Sequence, residues 1–352
     1  MKKTYRYSKL FMAGLLLASV MYNCKTKDVE SLTPFTYTFT KFNDVKLPTI
    51  SPTTPAVVTV VDASVTNTSA YGILTPDVLQ VPVTGVVLPV IKQAAVDVNK
   101  AISTTAAAAL SDKFTPEVID AMVTTGFIPA NLAAELTLLS NSPSLLAYMP
   151  ILKLPTIDGK EVGGRVGAVT GTNIAETVSV AKATLDDDAC KDAAQKAYDL
   201  ALPNLTSARD IQLKAVNDLY ILAQTTQNSS VKDCRTGASA KFAALNNTAR
   251  GSLSGVEKAL KDGRAILGEE TYTFLRLLYL TQFKNFQDDL KAAEKAQTES
   301  CDLSADARLA AAKVALEKDL EKVNDNFKAA KKELDGVLSA AVTACHNQGN
   351  GG

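Results

Sequence analysis

The chain has no tryptophan and one histidine in 352 residues, and its 37 basic residues are matched by 37 acidic ones. Each shortage removes a kind of chemistry. Without tryptophan there is no broad stacking platform for sugars or bases. Balanced charge sets up no field that would gather nucleic acid, so no nucleic-acid partner is expected. The only histidine, His346, is followed by Asn-Gln-Gly-Asn-Gly-Gly. A Ser-His-Asp or Cys-His site would depend on that one ring in a tail. Paired-histidine zinc sites are impossible, and the five cysteines include no CxxC spacing. Paired carboxylates for glycoside hydrolysis are available to any chain this acidic and carry no weight alone. The sequence therefore predicts no catalytic residue, no metal site and no cofactor.

What is abundant is helical pattern. Between Cys301 and Cys345 there is no proline, and Leu309, Leu316, Leu320, Val323, Phe327, Ala330, Leu334, Val337 and Ala341 recur at three- and four-residue steps. That is a heptad seam, and the intervening Ala, Lys, Glu and Asp favour helix with a wet outer face. About 40 residues then form one rod about 60 Å long at 1.5 Å per residue.

Residues 1–23 carry Lys2, Lys3, Arg6 and Lys9, then an apolar run from Leu10 to Met21, and Cys24 follows. The run is too short to span a bilayer. The order resembles a bacterial lipoprotein signal peptide, and the resemblance covers this segment alone. It implies that Cys24 is acylated and becomes the mature N-terminus, which anchors the chain to the membrane and leaves an even four cysteines. Removing the four basic residues of the signal leaves a net charge of minus four. Residues 24–30 then read as a charged tether.

Residues 31–165 read as a mixed domain. Phe35, Tyr37 and Phe39 alternate with threonines as in a strand, and Val-rich runs at 57–61 and 78–87 suggest further strands, with Pro82 marking an edge. Helix is expected from Pro89 through Ile91, Ala95, Val98 and Ile102, from Thr115-Pro116-Glu117 to Gly126, over 131–140 and over 144–148. Asp158-Gly159 signals a two-residue hairpin turn. Gly163, Gly164, Gly167 and Gly171 read as a linker, since neither the phosphate-loop nor the dinucleotide spacing is present. From 172 to 345 the pattern is helical, with Asp186-Asp187-Asp188 suited to a helix N-terminus, and residues 346–352 read as a flexible tail.

Cys190 to Cys234 and Cys301 to Cys345 are both 44 positions apart. Two cysteines at opposite ends of one rod cannot bond, because a disulfide needs Cα atoms within about 7 Å. If 190–228 runs parallel to 301–345, with 252–298 as an antiparallel helix between them, then Cys190 meets Cys301 and Cys234 meets Cys345. A break at Pro203 would instead allow a local 190/234 bridge. The run Phe274, Leu275, Arg276, Leu277, Leu278, Tyr279, Leu280 is apolar nearly all round the helix. It is either covered by the preceding domain or is a patch that takes a partner helix or a membrane.

The fold class expected is mainly α: an elongated antiparallel helical bundle or coiled coil, preceded by a smaller domain of short strands and helices. The function expected is non-enzymatic. The chain reads as an exported, lipid-anchored protein of the bacterial envelope, at the outer membrane, serving another envelope protein as accessory subunit or acting as a surface spacer. The alternatives are a membrane-active protein whose Val-rich segments enter lipid, or a binder of small ligands or carbohydrate.

Overall fold

The computed structural model describes residues 37–162 and 189–347. Cys24, the signal, the tether, Phe35, the four linker glycines and Asp186–Asp188 lie outside the described residues. Two helices dominate: α6 (Ala189–Asp262) and α8 (Glu269–Asn347), joined by a one-turn helix α7 (Arg264–Leu267). At 1.5 Å per residue α6 and α8 have contour lengths of about 110 and 120 Å. They pack against each other as one antiparallel hairpin. α8 continues through His346 to Asn347, two residues into the expected tail.

This corrects the expected disulfides. Cys190 bonds Cys345 and Cys234 bonds Cys301, each with Cα atoms 5.8 Å apart, in place of 190 with 301 and 234 with 345. The reason is the count of helices. Residues 189–262 are one helix, so only one reversal separates the two cysteine-bearing rods, and a single reversal makes them antiparallel. Equal spacing is still a register rule, because both bridges share a midpoint between residues 267 and 268. The turn sits there, with Gly268 at φ 77°. Tyr198 with Asp335, Arg209 with Phe327, Arg235 with Asp302, Asn246 with Gln287 and Glu257 with Arg276 all obey the same register. Two disulfides place the chain in an oxidising, non-cytoplasmic compartment.

Pro203 does not break α6. It faces solvent, and the nearby Leu205 packs with Ala194, Leu334 and Ala341 to hold the turn closed across the missing bond. The heptad seam is as expected from Val323 to Ala341. Upstream, the buried positions are Cys301, Ser304, Ala305, Ala312, Ala315 and Asp319, while Leu309, Leu316 and Leu320 lie half-buried beside them. The Cys301 bridge sets the inward face there.

Between residues 37 and 66 the chain forms a strap along this hairpin. Phe42 is buried in the cluster with Leu205 and Leu334 near the open end, and Asn67 accepts from Gln282 far along α8. That stretch of α8, between Leu334 and Gln282, spans about 80 Å, close to the full reach of 25 extended residues. Polar side chains of both rods hold the strap's backbone. Gln212 donates to the Pro48 carbonyl, Asp319 accepts from the Thr53 N–H and hydroxyl, Gln297 accepts from the Ala63 N–H, and Lys241 donates to the Ala63 carbonyl. Tyr37 and Phe39 precede a single 3-10 turn (Thr40–Asn43), where alternation had suggested a strand.

The head lies at the turn end. Short strands β1 (Val60–Val61) and β2 (Ser64–Thr66) pair with β4 (Thr156–Ile157) and β3 (Ile151–Lys153), and β4 turns through Asp158-Gly159 into β5 (Lys160–Glu161). Both turn residues have positive φ, as a two-residue hairpin requires. The helices are α1 (Ser69–Thr84), α2 (Pro89–Ala101), α3 (Thr104–Asp112), α4 (Pro116–Thr125) and α5 (Ala130–Ser140), and a 3-10 turn covers Leu146–Tyr148. Of the strand expected over 78–87, residues 78–84 are in fact the second half of α1 and 85–87 belong to the turn that follows it. Tyr71, Leu74, Val78 and Val81 fall on one buried stripe, so packing against α6 overrides the β preference of valine. No single described helix is long and apolar enough to cross a membrane.

Two outcomes follow. Peptide mapping without reductant should recover 190/345 and 234/301 peptides, and replacing Cys234 and Cys301 by serine should cost about 4 kcal/mol in urea unfolding on the loop-entropy account; a 190/301 peptide would refute the hairpin. The Asp319 carboxyl is pushed up by burial, but hydrogen bonds from the Thr53 side chain and backbone and from Lys322 outweigh this and hold it below its ordinary 3.8. Its contribution is therefore present above about pH 4 and is lost as pH falls through the lower folded value. Hydrogen exchange at Thr53 should accelerate in that window, and Asp319→Ala should give the same loosening at neutral pH.

Candidate functional site

The apolar run Phe274 to Leu280 is where head and hairpin meet. Phe274, Leu275, Leu277, Leu278, Tyr279 and Leu280 are all buried, and Phe283 extends the same core. α2, α3 and α5 pack on α8 here, while α1 and α4 pack on α6. A helix apolar all round must be covered all round. Of the two readings of this run, cover by the preceding domain is the one the structure shows, in place of a patch for a separate partner: its partner is the head of the same chain. Each leucine so buried contributes about 1.5–3 kcal/mol, which is what makes the head dock on so slender a support.

Arg276 is the one charge inside that run, and it has four acceptors. Its guanidinium donates to the Ser111 carbonyl (2.9 Å) and hydroxyl, to the Phe114 carbonyl (2.6 Å) and to Glu257 Oε2 (3.1 Å). It thereby caps the C-terminal end of α3 and ties it to both rods. Burial pushes the Glu257 carboxyl above its ordinary 4.5, with Arg276 pulling the other way. Glu257 Oε1 is buried without a hydrogen-bond partner. An arginine within an apolar run was the sequence signal for this arrangement, though nothing marked Glu257, 19 residues upstream, as its partner.

Beside this core lies a half-open cleft of about 230 Å³ between β2, the start of α1 and the two rods. Asn67, Tyr71, Ser252, Tyr279, Gln282 and Phe286 line it. Tyr71 and Tyr279 meet edge to face with ring centroids 5.5 Å apart. Burial raises the Tyr71 hydroxyl above its ordinary 10, against hydrogen bonds to Ser252 and Thr75, and raises Tyr279 further. Both stay protonated at any physiological pH, so the cleft offers neutral hydrogen bonds and aromatic edges and no acid or base for proton transfer.

The remaining sequence-predicted residues do not join this place. The four cysteines sit along the hairpin as staples, and His346 lies at the opposite end, in the last turn of α8. Among the described residues no group of three or more His, Cys, Asp or Glu side chains is placed to hold a metal ion. No protein-family model, no curated protein and no solved structure matches the chain.

Arg276→Met should destabilise the protein by about 3–5 kcal/mol, because it strands a buried carboxylate and two carbonyls at once. Glu257→Gln keeps a neutral acceptor for Arg276 and should cost clearly less. Urea unfolding of the two variants tests this; equal losses would mean that the charge pairing is irrelevant there.

Proposed function

We propose that this is an exported, lipid-anchored protein of the bacterial envelope whose hairpin is a stalk and whose head is held out from the membrane, as a spacer or as the accessory subunit of an envelope assembly. One observation carries the reading: the strap starts at the open, Cys190–Cys345 end of the hairpin, whereas the head is built around the turn at the other end. Cys24 precedes Tyr37 by thirteen residues. Those residues reach at most about 45 Å, less than half the length of the rods. A lipid on Cys24 would therefore keep the open end near the bilayer and leave the head at the far end.

The details suit a mechanical part. Both rods are stapled near their open end and at mid-length, so neither can slide or splay without breaking a covalent bond. The strap's hydrogen bonds to side chains of both rods bind it along the hairpin as a third strand. The catalytic inventory is empty in the sequence, and the head–hairpin cleft offers only neutral groups.

The test is a distance. An azide-bearing amino acid is placed at Phe127 on the head or at Ser339 near the open end, and each is coupled to a donor dye. The lipidated protein is then reconstituted in a bilayer containing acceptor. Transfer should be strong from 339 and weak from 127. Equal transfer from both would mean that the rod lies along the surface, and a Cys24→Ser chain that still enters the bilayer fraction would remove the anchor.

A further inference from the structure

We propose that the turn between α1 and α2, with the outer face of α1, is a wedge that seats in a neutral lipid surface. α1 is largely apolar, interrupted by Thr75, Asp77 and Gln80, yet only one of its faces is covered. Tyr71, Leu74, Val78 and Val81 face the core, while Gly72, Pro76 and Val83 lie on the opposite side in solvent and Leu79, 39% exposed, borders Gly255 of α6. Helices of that composition are ordinarily buried on every side. The turn adds to it: Val83 is 78% exposed, Val86 53% and Leu88 39%.

Its place in the fold is defined. A Cβ on Gly263 would lie 3.0 Å from the Val81 side chain, so α1 ends beside the hairpin turn, where Val83, Val86 and Leu88 are exposed and Val87 turns back onto the core. The chain reverses there through Gly85 at φ 69°, and α2 leaves at 116° to α1. The wedge is convex.

Charge decides the occupant. Between Asp77 and Lys92 there is no ionisable side chain at all. On the hairpin Arg264 pairs with Glu269, Lys258 with Asp262, and Glu270 accepts from Thr104, while Asp77 and Lys92 flank the turn and Lys261 lies on α6, all outside the apolar stretch. The Thr84 hydroxyl donates to the Gln80 carbonyl within its own helix. A protein partner is held in register by hydrogen bonds and charge pairs at the rim of an apolar patch. This wedge supplies almost none, whereas acyl chains require only apolar surface without charge to desolvate. The inference does not rest on the anchor; with one, the rod would join two apposed lipid surfaces.

The absence of tryptophan supplies the assay. The unacylated chain from Lys25 onward keeps every described contact, and Val86→Trp makes the wedge its only indole. With neutral phosphatidylcholine vesicles its emission should shift to the blue and be quenched by brominated acyl chains, while Leu200→Trp on the stalk should do neither. Adding Val83→Asp and Leu88→Asp to the Val86→Trp chain should lower vesicle binding by about tenfold or more, with circular dichroism unchanged. An unmoved Val86→Trp spectrum overturns the proposal. So does a blue shift that grows with protein concentration without vesicles, since a second copy would then be the occupant. Because the chain tested has no lipid, neither outcome bears on the anchor.

Discussion

The antiparallel register of the two long helices is the constraint on which the rest depends. A two-helix hairpin has little interior, and a seam of single side chains over a length of about 100 Å would leave its far end free to fray or slide. Two covalent ties with a common midpoint remove both freedoms. The strap can then lie extended along a surface that does not move, and its polar backbone finds partners at fixed places: Gln212, Asp319, Lys241 and Gln297.

The head illustrates the complementary problem. A set of five short helices and two small β-ribbons has too little core to stand alone, and its largest apolar surface is provided by α8 itself. Burying Phe274 to Leu280 solves this for both partners, and Arg276 closes the loose end of α3 that such docking would otherwise leave unsatisfied. Head and stalk are thus one folding unit with a shared core, so a force applied to the head is passed to the rods directly.

The function proposed here is one of placement. It rests on where the two ends of the molecule lie and not on any chemistry at the head, whose cleft is lined by neutral groups. The two ends of the molecule differ in kind. One is stapled and adjoins the start of the strap; at the other, an apolar turn between α1 and α2 lies beside the hairpin turn with its paired charges. That polarity is what a connector needs.

Much of this was legible in the residues. The three- and four-residue spacing from Val323 to Ala341, the start of α2 at Pro89, the span of α4 from Pro116 to Gly126 and the Asp158-Gly159 turn are local, and backbone sterics and side-chain period decide them within a few positions. Equal cysteine spacing also fixed that a register existed. It could not fix direction, because equal intervals satisfy parallel and antiparallel rods alike. That depended on whether Pro203 broke α6 and on how many reversals lay between the rods, and both are settled by packing along the whole hairpin. The same holds for α1, where valines that favour a strand locally are held in a helix by α6, and for Phe274 to Leu280, whose pattern demands cover without saying what supplies it. Sequence determined the periods and the punctuation; tertiary structure decided orientation and partnership, because those energies come from residues tens to hundreds of positions apart.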